Sequence, residues 1–242
     1  MAAGMDWRTG VWQAPQVGEG RRWRAVIAGD WAPRDAYLSL LADEPVNCYG
    51  DLLPVLRDND LRIVNVELTL GPEGLPIPKA GPNLKAPATT IASLTSVPWD
   101  VATLCNNHVF DFGPEGLAAT IRRLHEAGLQ TVGAGLTQAE AETPLRLEVA
   151  GAPVAIVNCG EGEENRCQDG GPGVSGFDEE RLAARVRDLR ETGHVVIVIS
   201  HAGREYTPLP PPYIHRWYRR LAEAGAHLIV GGHPHVPPRP RR

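Results

Sequence analysis

The residues of this 242-residue sequence that could do chemistry stand at the ends of five apolar runs. Asp30 follows the run 24–28, RAVIA, after Gly29. Glu67 closes 61–67, LRIVNVE. Asn106, Asn107 and His108 close 100–108, DVATLCNNH. His201 closes 195–201, VVIVISH, and His233 and His235 close 227–235, HLIVGGHPH. All offer carboxylate, amide or imidazole donors and none is a thiolate, a set that suits Zn, Mn or Fe. Glu67 could bridge two such ions, and ions so paired can clamp a phosphoryl oxygen. Taken singly, each residue has a plainer role. Asp30 reads as a helix cap or turn residue, Glu67 as a strand-end charge, Asn106-Asn107 as a turn pair, and His201 and His233 as hydrogen-bonded core histidines. Five polar groups at five equivalent places argue jointly for a metal centre, because ligands of open α/β sheets gather beyond the strand carboxyl ends.

The elements that must position these groups alternate between strands and helices. The five runs read as buried strands. Between them, 114–128, 178–193 and 211–225 place apolar residues on one helical face, such as Leu117, Ile121 and Leu124 in the first. The stretch 145–159, LRLEVAGAPVAIVNC, reads as a hairpin about Gly151-Ala152. Alternation of this kind predicts an α/β fold with mostly parallel strands and flanking helices, made mixed by the hairpin. Two Gly/Pro-rich loops, 71–87 and 160–176, are long for a compact domain, and long loops are where binding often resides. Lys79 and Lys85 in the first could meet a phosphate or carboxylate, though either alone reads as a surface lysine. Glu161, Glu163 and Glu164 in the second read as a solvated acidic loop, with substrate gating as the alternative.

Length and composition bound the function. The chain suits one large α/β domain. We expect a flexible leader over 1–23 and a single domain over 24–242. A net charge of -5 with no basic stripe argues against a nucleic-acid partner. The four cysteines form no C-x-x-C pair and read as reduced thiols, which favours a cytoplasmic location. The first two dozen residues lack the apolar core of a signal peptide, and no transmembrane segment is expected.

In order, the motifs G-D (29–30), N-V-E (65–67), N-N-H-x-x-D-x-G (106–113), H-A-G-R-E-Y (201–206) and G-G-H-P-H-V (231–236) resemble the CapA type of poly-γ-glutamate capsule-synthesis proteins. The match spans about 24–236. Each motif is modest, and their order and spacing together are specific. The resemblance implies a metallophosphoesterase-like (calcineurin-like) layered sandwich, with mixed, mostly parallel sheets flanked by helices. It implies one or two divalent metal ions held by Asp30, Glu67, Asn107, His201, His233 and His235. It implies that His108 acts as an acid or holds an oxyanion, oriented by Asp111 through a ring nitrogen. Glu205 and Tyr206 match the family motif beside Arg204. These three, with Lys85 in a stretch like the family's substrate loop, are the expected substrate contacts.

The sequence also departs from that fold's usual pattern. The first motif is commonly D-x-H, and here it is Asp30-Trp31-Ala32, so one histidine ligand is missing and the seat beside Asp30 and His235 is ligand-poor. The bridging residue is glutamate rather than aspartate. The family's C-terminal strand after Val236 is not evident, nor is the membrane tether that many members carry. The leading expectation is a metal-dependent hydrolase acting on a phosphoester, or on a glutamyl or peptide amide, through hydroxide activated by the metal. The alternatives are a peptide Cα epimerase of ribosomal-peptide biosynthesis, which the ligand-poor seat would suit, and a noncatalytic component of poly-γ-glutamate synthesis. The expected partner is a small-molecule, polyglutamate or peptide substrate.

Overall fold

The computed structural model describes residues 4–6, 11–13 and 22–236. Eight strands form two four-stranded sheets. The first contains β1 (Ala25–Trp31), β2 (Leu61–Val66), β3 (Val101–Thr103) and β4 (Gln130–Val132), in that order and all parallel. The second contains β5 (Leu145–Val149), β6 (Ala152–Gly160), β7 (Val195–His201) and β8 (Leu228–Gly232). β5 and β6 form the expected antiparallel hairpin, and β6, β7 and β8 run parallel. Three helices cover the outer faces: α1 (Gly113–Glu126), α2 (Glu179–Glu191) and α3 (Pro212–Glu223). Within the expected leader, Gly4–Asp6 pairs with Val11–Gln13. The expected lack of a strand after Val236 falls on residues outside those described.

The strands alternate with a period of two, and the alternation sorts the core into layers. Leu61, Ile63, Val101, Val132, Val154, Ile156, Ile197 and Ile199 meet between the two sheets. Val64, Val66 and Ala102 face outward against Leu117 and Leu124 of α1. Ala155, Val157, Val196 and Val198 face outward against Leu182, Val186 and Leu189 of α2 and Leu221 of α3. Each such aliphatic side chain, fully buried, contributes about 1.5–3 kcal/mol. The result is the layered sandwich that the resemblance implied.

Local signals define the helices. Asp178 caps α2, its carboxylate accepting from the Arg181 N–H at 3.0 Å. Pro114 occupies the first turn of α1, where no backbone donor is needed. Gly128, with φ of 89°, turns the chain out of that helix.

The same alternation builds the site. Along the inner face, positions 61 and 63 lead to Asn65, 101 to Thr103, 154 and 156 to Asn158, and 197 and 199 to His201. The layer between the sheets is apolar at its base and polar at the carboxyl edge. All four polar residues are buried.

One strand is shorter than expected. The run 100–108 stays extended only to Thr103. Beyond it, the Asn158 Oδ1 accepts from the Leu104 and Cys105 N–H groups at 3.0 and 2.7 Å. Asn106 then turns the chain, its Oδ1 accepting from the His108 and Val109 N–H groups at 3.0 and 2.9 Å. The Leu104 N–H still shares the ladder acceptor, the Val132 carbonyl at 2.9 Å; past it, side-chain acceptors take over from the ladder, a competition at which asparagine excels.

Candidate metal centre

Four donor atoms converge at the carboxyl edge. His201 Nε2 lies 3.2 Å from Glu67 Oε1, 3.1 Å from Asn107 Oδ1 and 3.1 Å from His233 Nδ1. Each comes from a different strand end: Glu67 after β2, Asn107 from the turn after β3, His201 at the end of β7 and His233 after β8. All four are buried. Glu67 Oε1 has no hydrogen-bond partner, since His201 Nε2 approaches it without hydrogen-bond geometry. A buried carboxylate oxygen without a donor is costly. First-row ions bind imidazole nitrogen and carboxylate oxygen at about 2.0–2.2 Å, which sets neighbouring donors roughly 3 Å apart. The cluster has that spacing and that donor set, so these residues fit a divalent ion.

The electrostatics agree. Burial, then the Asp30 carboxylate, raises the Glu67 pKa to about 8. Burial lowers the His201 pKa to about 4. Burial, then His201, lowers that of His233. The pocket resists carrying two imidazolium ions or a lone carboxylate, and neutral imidazole is the form that ligates.

A second group lies beside the first. Asp30 Oδ2 is 3.4 Å from His235 Nδ1, and one donor atom each from Asp30, Glu67 and His235 falls within 4.8 Å of the others. Asn65 holds Asp30 in place, donating from Nδ2 to Oδ1 at 2.8 Å. Ala32 lines this cleft where the fold's usual motif would carry a histidine. The cleft encloses about 360 Å³ and is also lined by Arg34, His108, Glu205 and Tyr206.

His108 is held from the side by Asp111. Its Nδ1 lies 2.7 Å from Asp111 Oδ2. The carboxylate can only accept, so Nδ1 carries the proton and Nε2 is left for chemistry. Asp111 is completely buried and also accepts from the Leu84 N–H at 2.7 Å.

The chain matches the model of the family described as bacterial capsule synthesis protein PGA_cap over residues 24–239. It belongs to that family. Among its relatives, the PGA biosynthesis protein CapA of Bacillus subtilis is 28% identical over 64% of this chain and 41% of that protein. The capsule biosynthesis protein CapA of Bacillus anthracis is 29% identical over 64% of this chain and 39% of that protein. A probable polyglutamine synthesis accessory protein of Mycobacterium tuberculosis is 28% identical over 78% of this chain and 54% of that protein. The chain thus spans about two-fifths to one half of the length of these relatives. Among solved structures, a 5'-nucleotidase precursor from Thermus thermophilus aligns with a TM-score of 0.40 at 26% identity, over 58% of this chain and 27% of that one.

The structure brings every expected metal ligand of this family member to one edge, with His108 and Asp111 beside them. Glu205 and Tyr206 line the cleft, and Arg204 lines the adjoining apolar pocket. Lys85 is not brought in. Its ammonium donates to the Pro72 and Glu73 carbonyls and sits 3.6 Å above the Phe112 ring. Lys79, expected at the surface, is the buried one. Its ammonium donates to Asp111 Oδ1 at 2.8 Å and to the Asn107 carbonyl at 2.6 Å, with its side chain fully covered. The acidic loop is likewise structural in part. Glu161 accepts from the Gly203 N–H at 2.7 Å and the Tyr213 hydroxyl at 2.9 Å, anchoring the segment after His201. Asn165 donates to the Asn107 carbonyl at 3.0 Å. Among the described residues, no helix is long and apolar enough to cross a membrane.

Proposed function

We propose that this member of the capsule synthesis family is a metal-dependent hydrolase of the metallophosphoesterase type. Its substrate would be a glutamyl or peptide amide, or a phosphoester. The observation that carries the reading is the convergence of Glu67, Asn107, His201 and His233 on one point, with a partnerless buried carboxylate oxygen among them. A divalent ion held there supplies Lewis acidity toward an oxygen of the substrate and toward water. The chain supplies the rest. Asp111 fixes the tautomer of His108, so Nε2 can pass a proton to the departing group. The buried Lys79 ammonium balances the Asp111 charge and ties the loop 71–87 to the turn that carries His108. Arg34 at the cleft gives an anionic substrate a partner. The names of the relatives, which refer to capsule, PGA and polyglutamine synthesis, favour a glutamyl polymer or one of its precursors. Placement in the cytoplasm fits the four free thiols.

Ala32 favours a second reading. A seat with fewer ligands suits an ion that acidifies a Cα–H beside a carbonyl, and hence epimerisation of a peptide. The test separates the readings. Chelator-stripped protein is reloaded with manganese or zinc and its metal content measured by elemental mass spectrometry, beside His233→Ala. It is then offered γ-glutamyl oligopeptides and p-nitrophenyl phosphate in deuterated water. Metal-dependent release of glutamate or phosphate, lost in His108→Ala with metal retained, is the expected result. Deuterium entering the peptide without cleavage would establish epimerisation. Metal without either activity on these probes would favour a noncatalytic partner in polymer synthesis. No metal uptake would overturn the metal centre itself.

A further inference from the structure

Glu205 stands beside the two histidines of the HPH turn and has no role in the metal centre described above. One donor atom each from Glu205, His233 and His235 lies within 4.8 Å of the others. His235 faces two carboxylates with opposite edges of its ring. Its Nδ1 is 3.4 Å from Asp30 Oδ2, and its Nε2 is 4.0 Å from Glu205 Oε1. The two carboxylates are not equally free. Asp30 Oδ1 already accepts from Asn65, whereas no side-chain hydrogen bond engages the Glu205 carboxylate among the described residues.

The backbone independently brings these residues together. The Tyr206 N–H donates to the Pro234 carbonyl at 2.8 Å, pinning the residue after Glu205 to the proline between the histidines. Tyr206, His233 and His235 all adopt positive φ, at 56°, 95° and 53°. For side chains larger than glycine such backbone costs of order 1–3 kcal/mol each, and it persists where the surroundings enforce it. Two loops are therefore held, against local preference, in an arrangement that presents two imidazoles and one carboxylate to the mouth of the cleft.

We propose that Glu205, His233 and His235 form a second seat for a divalent ion, standing in for the seat that Ala32 leaves short of a ligand. This rests on the reading of the inner cluster as a metal centre. Two histidines and a glutamate form a recurrent zinc and iron ligand set that leaves coordination positions open to substrate. His233 faces the inner cluster through Nδ1, so it would reach the outer ion through Nε2 and, holding both, would have to give up its ring proton to solvent; that cost makes the outer seat the weaker of the two. Its nitrogen-rich donors favour zinc over magnesium, which prefers oxygen.

The test reads metal, not activity. Wild type, Glu205→Gln, Asp30→Asn and Glu205→His are stripped, titrated with zinc by calorimetry, and assayed for bound zinc by elemental mass spectrometry. Two ions in wild type, one in Glu205→Gln, two in Asp30→Asn and two in Glu205→His is the expected pattern. Loss of the weaker ion in Asp30→Asn, or its retention in Glu205→Gln, would overturn the assignment. A single ion in wild type would remove the outer seat and leave the inner one standing. No ion in wild type would bring down both. Glu205 is exposed, so Glu205→Gln is expected to fold, and the strong inner ion reports that it has.

Discussion

Replacing Glu67 by glutamine should stabilise the metal-free protein while removing its response to metal. The Glu67 carboxyl has a pKa of about 8 in the folded metal-free chain, against 4.5 as the ordinary value. The unfolded state therefore ionises as pH rises above 4.5, while the folded state holds its proton until about 8. Stability is lost progressively across that window, at 1.36 kcal/mol per pH unit of separation. By pH 8 the full penalty is up to about 4–5 kcal/mol. Glutamine has the shape of the protonated acid and does not ionise, so Glu67→Gln escapes the penalty. At pH 5 the two proteins should be nearly equal, and by pH 8 the variant should unfold up to roughly 10–15 °C higher, at 2–4 °C per kcal/mol for a chain of this size. Thermal denaturation of stripped protein at both pH values reads this directly. Adding zinc or manganese should reverse the order, because wild type gains binding energy and the variant lacks a ligand. A variant less stable than wild type at pH 8, or a difference independent of pH, would refute the argument that burial of this carboxylate is offset by an ion.

Three further outcomes follow from the same structure. Stripped wild type should be most stable near pH 6.5, because His201 and His233 resist protonation when folded and together favour the unfolded chain as pH falls below it, outweighing the opposite trend of Glu67, which acts alone above it; urea midpoints across pH locate the maximum. Lys79→Met should cost about 3–5 kcal/mol by leaving the buried Asp111 carboxylate without its cation; in urea unfolding, adding Asp111→Asn should recover part of the loss, the mark of a coupled pair. Gly133→Ala should destabilise by roughly 2–4 kcal/mol, since its Cβ would fall 2.0 Å from Asn158 Oδ1, at a φ of 96°, and displace the acceptor of the buried Cys105 N–H, while the Leu104 N–H also has the Val132 carbonyl; hydrogen exchange at Cys105 should quicken with it.

What the sequence reveals and what it hides divide along one physical line. A candidate ligand at the end of an apolar run is legible because strand and side chain are adjacent in the chain, and the parallel fold carries every such end to one edge. That is why the meeting of Glu67, His201 and His233 at that edge can be read from the chain alone. Lys79 cannot be read that way. Its partner Asp111 lies 32 residues on, and only the closure of the loop 71–87 over the turn after β3 buries both. Lys85, six residues further, carries the same charge and composition but meets carbonyl oxygens and an aromatic face instead. Asn65 and Asn158 are hidden for a different reason. Within strands they count as interruptions of apolar pattern, and their role appears only when the alternation is followed on both sheets at once.

That alternation also explains why the site lies where it does. The inner face is filled by leucine, isoleucine and valine until the sheets reach their carboxyl edge, and then by Asn65, Thr103, Asn158 and His201 in register. These side chains largely satisfy one another: Asn65 Oδ1 accepts from Asn106 Nδ2 at 3.1 Å and from Thr103 Oγ1 at 3.3 Å, and its Nδ2 donates to Asp30. A buried polar layer satisfied in this way is stiff. It fixes the carboxylate of Asp30 and the turn bearing Asn107 and His108 from below, while beside it the Glu67 Oε1 is left without a donor. In a layer where the neighbouring amides are paired, an unpartnered buried carboxyl oxygen marks the place where the fold's own contacts stop short and an ion would complete them.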